Sequence, residues 1–150
     1  MIRKADVKEN DAVTELVRKT IEAVYPKYYP AGAVDFFLAH HKTEKILADI
    51  EAGKVYVLEE DGVIVGTVTI DGNDIARLFV KPSEQGKGHG GRLLDFAENM
   101  IFGYSEKVRL DSSLPAKSMY IKRGCREKEY CKILTDSGDY LCYDVMEREK

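Results

Sequence analysis

Near the middle of the chain, four of six consecutive residues are glycines, namely Gly86, Gly88, Gly90 and Gly91. The apolar residues 75–80 before them are typical of a strand, and those from Arg92 onward follow helical spacing. Glycines at the entry of a helix let the backbone approach a ligand, and the first N–H groups of a helix carry the positive end of its dipole. The block therefore predicts a pyrophosphate-binding loop between a strand and a helix.

A length of 150 residues, 44% of them apolar, predicts one domain over residues 1–150, which is long enough to bury a core without metal or disulfide bonds. Asn10 or Asp11 is the predicted cap of a first helix that ends before Pro26. The turn at Asp61-Gly62 predicts an antiparallel hairpin. Predicted strands are 2–5, 55–58, 63–70, 75–80, 107–111, 129–135 and 140–146, and further helices are 34–38 and 43–52 with a break between them, 87–102 and 115–122. The predicted order is β, α, α, β, β, β, α, β, α, β, β, a mixed sheet with helices packed on it.

Charge and composition exclude several classes of protein. A formal net charge of -3 leaves no basic excess for nucleic acid, and no stretch resembles a signal peptide or a membrane span, so the sequence predicts a cytoplasmic protein. The three cysteines lack metal-type spacing and are expected to be reduced packing residues. The pair His40-His41 is expected at the solvated end of a helix, and no metal site is predicted.

Two other readings of the glycine block have to be weighed. Gly86, Gly88 and Gly91 also satisfy G-x-G-x-x-G, with Asp111 about twenty residues on, as a dinucleotide-binding unit requires. In such a unit, however, the first glycine follows its strand almost immediately, and alternating βα units come next. The other alternative is a glycine-rich turn that only closes a packed corner.

The same block carries a family motif, Gln or Arg, two residues, Gly, one residue, then Gly or Ala, which is matched by Gln85, Gly88 and Gly90. In these residues and in the strand and helix around them, the chain resembles the GNAT superfamily of acetyltransferases. A second motif of the family is matched at three of five positions. Its five positions here are Ser113, Ala116, Tyr120, Gly124 and Cys125, with Ser113 in place of Asn and Cys125 in place of Phe.

The resemblance implies an α/β (α+β) fold of GNAT type, with a mixed, mostly antiparallel central sheet flanked by helices. It also implies an N-acetyltransferase whose co-substrate is acetyl-CoA and whose acceptor, a small-molecule or peptide amine, attacks the thioester directly in a ternary complex. Tyr120 would donate a proton to the departing thiolate. Residues implied in cofactor binding are Leu78, Phe79, Val80, Gln85, Gly86, Lys87, Gly88, His89, Gly90, Gly91 and Ser113.

Three matters stay open at this level. Many relatives use a Glu on the fourth strand as general base, but residues 75–78 offer none, and Asp74 is the nearest carboxylate. Tyr25, Tyr28 and Tyr29 either shape the acceptor pocket or pack in the core. A non-catalytic acyl-CoA-binding protein is the main alternative function, and the resemblance leaves homodimer formation open.

Overall fold

A seven-stranded sheet forms the centre of the molecule in the computed structural model, which describes residues 1–150. Its strands follow the order β1-β2-β3-β4-β5-β7-β6, and every neighbouring pair is antiparallel except β4 and β5. The strands are β1 Ile2–Lys4, β2 Val55–Glu60, β3 Val63–Asp71, β4 Asp74–Val80, β5 Lys107–Ser112, β6 Arg126–Leu134 and β7 Tyr140–Glu149. The mixed, mostly antiparallel sheet that the resemblance implied is confirmed.

Five α-helices cover the two faces of this sheet, because its strands alternate apolar residues to both sides. The helices are α1 Asn10–Val24, α2 Ala31–His40, α3 Thr43–Glu51, α4 His89–Ile101 and α5 Lys117–Lys122. On β2, Val55 and Val57 pack with the apolar faces of α1 to α3, whereas Tyr56 and Leu58 pack with α4 and with Tyr120. No helix is both long and apolar enough to cross a bilayer.

Most local predictions are confirmed, and the differences have physical causes. Asp61 and Gly62, at φ of 51° and 76°, form the tight turn predicted between β2 and β3. The predicted cap at Asn10 or Asp11 is wrong, because Asp6 and Glu9 form a reciprocal capping box around a short 3₁₀ turn before α1. Residues 31–40 and 43–51 are separate helices, which confirms the predicted break between them, although the predicted order counts the two as one helix. The three cysteines are free.

A fork between β4 and β5 is the feature that organises one edge of the molecule. These strands pair only at Asp74 with Arg109 and at Ile75 with Leu110, and they diverge beyond that point. The register of β4 against β3 shifts at the same place, since Ile75 pairs with Ile70 but Arg77 pairs with Thr69. Ala76 is therefore the extra residue of a β-bulge, which bends β4 away from β5.

Candidate active site

The edge of β4 that faces the fork carries backbone groups that no neighbouring strand pairs. Lys81 N–H donates to the Val65 carbonyl at 2.8 Å, and residues of β4 alternate from that bond inward. In an antiparallel pair every second residue turns its N–H and C=O to the neighbouring strand. Phe79 therefore bonds to β3, whereas Leu78 and Val80 direct their backbone groups into the fork. The Val80 carbonyl accepts a hydrogen bond from Gln85 Nε2 at 3.0 Å.

The glycine loop presents a row of unused N–H donors. None of the six backbone N–H groups of residues 86–91 has a backbone acceptor, and the first such bond of α4 is from Arg92 N–H to the Gly88 carbonyl at 3.1 Å. Gly86 and Gly88 have φ of 80° and 85°, a conformation that side chains with a Cβ rarely adopt. Six donors next to the positive end of a helix dipole are an arrangement that can bind an anion.

The glycines of this loop do not close a packed corner. A Cβ added to Gly86 or Gly88 would meet no atom within 4 Å. At Gly90 it would meet Met119 Sδ at 3.6 Å, and at Gly91 Arg123 Nη1 at 3.9 Å, both ordinary van der Waals distances. Protein packing therefore does not require glycine at these positions, which argues against the packed-corner alternative.

Charged side chains around the loop are already paired. Lys87 Nζ lies 2.9 Å from Glu84 Oε2 and lowers the pKa of that carboxyl, and Arg92 pairs with Glu60. His89 is 9% exposed, and its Nδ1 is buried without a hydrogen-bond partner. An anion at this loop would consequently be held by backbone N–H groups more than by the side chains of Lys87 and Arg92.

Two cavities meet at the fork. The loop-side cavity, about 410 Å³, is lined by ten of the eleven residues predicted to bind cofactor, all except Lys87. The fork-side cavity, about 290 Å³, lies between α2, the fork and the β6–β7 hairpin. The residues that line both cavities are Tyr25, Leu78, Phe79, Ser113 and Ala116.

Tyr120, the predicted proton donor, lines the fork-side cavity. Its side chain projects from α5 and the residue is 6% exposed. Burial and the neighbouring phenol of Tyr25 raise the pKa of Tyr120 above that of an ordinary tyrosine. The hydroxyl therefore stays protonated throughout the physiological range.

The three tyrosines after α1 have three different places. Tyr25 lines both cavities, and Tyr28, which is 51% exposed, lines only the loop-side cavity. The Tyr29 hydroxyl accepts from Leu114 N–H at 2.7 Å and donates to the Cys142 carbonyl at 3.2 Å, so it joins the segment after β5 to β7. Only Tyr25 can therefore shape an acceptor pocket, and Tyr29 is a packing residue.

The sequence did not indicate two residues of the fork-side cavity, Arg77 and His41. Arg77 is 7% exposed and its Nε donates to His41 Nδ1 at 3.1 Å, while Nη1 binds Asp49 at 3.1 Å and Thr69 at 3.0 Å. Burial lowers the pKa of His41 to about 3, and the charge of Arg77 adds to this effect. The prediction that both histidines lie at a solvated helix end holds for exposed His40 and is wrong for His41.

Helix α2, which lines the fork-side cavity, is attached to the C-terminal hairpin through its first turn. Gly32, in the first turn of α2, donates its N–H to Asp139 Oδ2 at 2.9 Å. Asp139 lies in the turn between β6 and β7, so this bond fixes the beginning of α2 to the C-terminal hairpin.

Comparison with known proteins decides the family. Residues 24–131 match the model of the acetyltransferase (GNAT) domain. The chain belongs to the GNAT acetyltransferase family. This confirms the predicted family, and the coarse function that goes with it is acetyl transfer. The dinucleotide-binding alternative is wrong, since the sheet has only one short parallel pairing.

Solved structures share this fold at low sequence identity. A GCN5-related N-acetyltransferase from Rhodopseudomonas palustris has a TM-score of 0.91 at 20% identity, over 100% of this chain and 95% of that one. PaiA N-acetyltransferase from Thermoplasma acidophilum, in complex with coenzyme A, has a TM-score of 0.76 at 21% identity, over 100% of this chain and 98% of that one. YncA from Salmonella typhimurium, with its cofactor acetyl-CoA, has a TM-score of 0.71 at 20% identity, over 99% of this chain and 92% of that one. No curated protein matches the sequence.

No group of three or more His, Cys, Asp or Glu side chains is arranged to hold a metal ion.

Proposed function

We propose that this GNAT protein is an N-acetyltransferase that moves the acetyl group of acetyl-CoA to an amine by direct attack in a ternary complex. The observation that carries the proposal is the free backbone edge of β4, which leads from the fork into the loop with six unused N–H donors. A strand edge followed by an anion site fits an extended amide chain that ends in a pyrophosphate.

Each part of the donor has a matching part of the protein. The N–H groups of residues 86–91 would hold the pyrophosphate, because an anion satisfies donors that the helix cannot satisfy itself. Leu78 and Val80 would pair with the amides of the pantetheine arm, as a partner strand would. Ser113 lines the opposite side of the fork, in the place of the motif's asparagine.

The two cavities bring the reactants together from opposite sides. With the donor in the loop-side cavity, its thioester would lie at the residues common to both, and an amine in the fork-side cavity would face it. A backbone N–H of Leu78 or Val80 would stabilise the negative charge that develops on the carbonyl oxygen. The work of the protein is then to position the reactants and to stabilise that charge.

Tyr120 would complete the transfer as a general acid. A bond forms between the amine nitrogen and the acetyl carbon, and the bond from that carbon to sulfur breaks. The departing thiolate would take the proton of the Tyr120 hydroxyl, the amine would release a proton to water, and the Tyr120 phenolate would regain a proton from water. Asp74 does not serve as the base in this proposal, because it lies outside both cavities and pairs with Arg109 at 3.3 Å.

The experiment is isothermal titration with acetyl-CoA, free CoA and NAD in parallel, followed by thiol release with a panel of amines. We expect binding of both CoA forms, no binding of NAD, and thiol release that depends on an amine. Acetyl-CoA binding without thiol release from any amine would favour a non-catalytic acyl-CoA-binding protein. Absence of CoA binding would refute the role given to residues 86–91.

A loop variant makes the binding test specific. Gly90→Ala places a methyl group 3.6 Å from Met119 Sδ and 4.0 Å from Val80 Cγ2, inside the loop-side cavity, without a clash in the protein. Alanine favours a helix by about 1 kcal/mol over glycine. We therefore expect a variant that is at least as stable as the wild type but binds CoA more weakly.

A further inference from the structure

Six aromatic side chains line the fork-side cavity. They come from the end of α1, from α2, from β4, from α5 and from β7, and they are Tyr25, Phe36, Phe37, Phe79, Tyr120 and Tyr143. The ring of Tyr25 meets that of Phe37 edge to face, with centroids 4.7 Å apart. Ile133 and Leu141 add aliphatic surface from the hairpin. Such a wall favours an apolar body of the acceptor.

Each basic side chain that lines this cavity is either paired with a carboxylate or neutral, so none offers an uncompensated charge to a carboxylate of the acceptor. The guanidinium of Arg77 is used by Asp49, by Thr69 and by His41. His41 is neutral, because burial lowers its pKa to about 3, and burial also lowers the pKa of His40. A carboxylate that entered the cavity would lose water without gaining an ionic partner, which is costly.

One carboxylate, that of Asp111, lines the cavity. It is the first residue of β5 beyond the last pair with β4, so it lies at the point where the fork opens. Arg109 lies 3.3 Å from Asp111 and 3.3 Å from Asp74, so one cation is shared by two carboxylates and a net negative charge remains. The Asp111 side chain is 54% exposed and can accept a further hydrogen bond.

We propose that the acceptor is a small amine with an apolar or aromatic body and no carboxylate, and that Asp111 binds its ammonium group before proton loss. This inference rests on the proposed N-acetyltransferase function and specifies its substrate class. A cavity of about 290 Å³ accommodates a molecule of one ring and a short chain. A second ammonium group would lie against the apolar wall, away from Asp111, which disfavours polyamines.

The first test compares matched amines in the thiol-release assay: phenethylamine, phenylalanine, butylamine and putrescine. Phenylalanine adds a carboxylate to phenethylamine, and putrescine adds a second amine to butylamine. We expect kcat/KM for phenethylamine to exceed that for phenylalanine by on the order of 100-fold, because the carboxylate has no partner. Higher kcat/KM for phenylalanine or for putrescine would overturn the inference while leaving the N-acetyltransferase function standing.

The second test is Asp111→Asn, with Asp74→Asn as the matched control. Both variants remove a carboxylate from Arg109, but only Asp111 lines the cavity. We expect KM for phenethylamine to rise about tenfold in Asp111→Asn, the effect of a lost charge-assisted hydrogen bond, and to stay unchanged in Asp74→Asn. Equal effects in the two variants would assign the change to Arg109 and overturn the role of Asp111.

A binding measurement separates this inference from the proposed function. Phenethylamine and phenylalanine are titrated by calorimetry into protein saturated with free CoA, so no turnover is required. Tighter binding of phenethylamine supports the inference even where thiol release is absent, whereas equal or tighter binding of phenylalanine contradicts it. Failure of the proposed function itself would show separately, as absence of CoA binding or as absence of thiol release from every amine.

Discussion

The hydroxyl of Tyr120 is the group whose removal tests the chemistry most directly. Tyr120→Phe keeps the ring that packs with α4 and the sheet and deletes one oxygen. We expect the free energy of unfolding to change by no more than about 1 kcal/mol, because a single buried hydroxyl is lost. Binding of acetyl-CoA should be unchanged, since Tyr120 does not line the loop-side cavity.

The expected loss is in the rate of the chemical step. A positioned general acid contributes at least about 100-fold, which corresponds to about 2.7 kcal/mol of the activation barrier. Burial raises the pKa of Tyr120 above the ordinary value of about 10, so the acid stays protonated over the whole assay range. The loss should therefore be the same at every pH up to about 10.

The assay is single-turnover thiol release, which observes the chemical step even when product release limits the steady state. Tyr56→Phe is the control, because Tyr56 is buried in the same core and lines neither cavity. A Tyr120→Phe rate within about threefold of the wild type, with intact acetyl-CoA binding, would refute the acid role. The thiolate would then leave without help from this residue.

Three further predictions concern the loop, the buried histidine and the attachment of α2. Gly90→Ala should weaken CoA binding by calorimetry without loss of stability, whereas Asn99→Ala, an exposed site on the same helix, should leave binding unchanged. Burial lowers the pKa of His41 to about 3, so on acidification the unfolded state takes up a proton at this residue before the folded state does. The free energy of unfolding, measured by urea titration, should therefore fall by up to about 2 kcal/mol from pH 7 to pH 5. The same titrations should show a smaller fall in His41→Gln. Gly32→Ala would bring a Cβ to 2.6 Å from Asp139 Oδ2, and urea unfolding should show a loss of about 1 to 3 kcal/mol; an unchanged midpoint would contradict this.

The sequence predicted the elements whose signals are local. The Asp61-Gly62 turn and the glycine block before α4 are both contained in a few adjacent residues, and both are confirmed. The Asp6/Glu9 capping box was also readable, since it follows the pattern of an acidic cap three residues before a Glu. Strands β6 and β7 are longer than predicted, because residues 126–129 are charged and exposed and hide the alternation.

The candidate site was predictable where one segment carries it. The eleven residues predicted to bind cofactor follow family motifs, and all of them except Lys87 line one cavity. Arg77, His41 and Asp111 were missed as a group, because their partners lie far away in the chain: His41 is 36 residues before Arg77, and Asp49 is 28 residues before it. The fork depends on a two-residue parallel pairing and a β-bulge, and no sequence pattern predicts either of them.

The bond between Gly32 and Asp139 has a consequence for how such a chain can diversify. Helix α2 and the C-terminal hairpin line the fork-side cavity but not the loop-side cavity, and this bond holds the two segments to each other. Under the proposed function, acceptor recognition and donor recognition would therefore reside in separate segments of the chain. Exchange of α2 together with the hairpin, as one grafted pair, should transfer acceptor preference between relatives and leave the affinity for CoA intact.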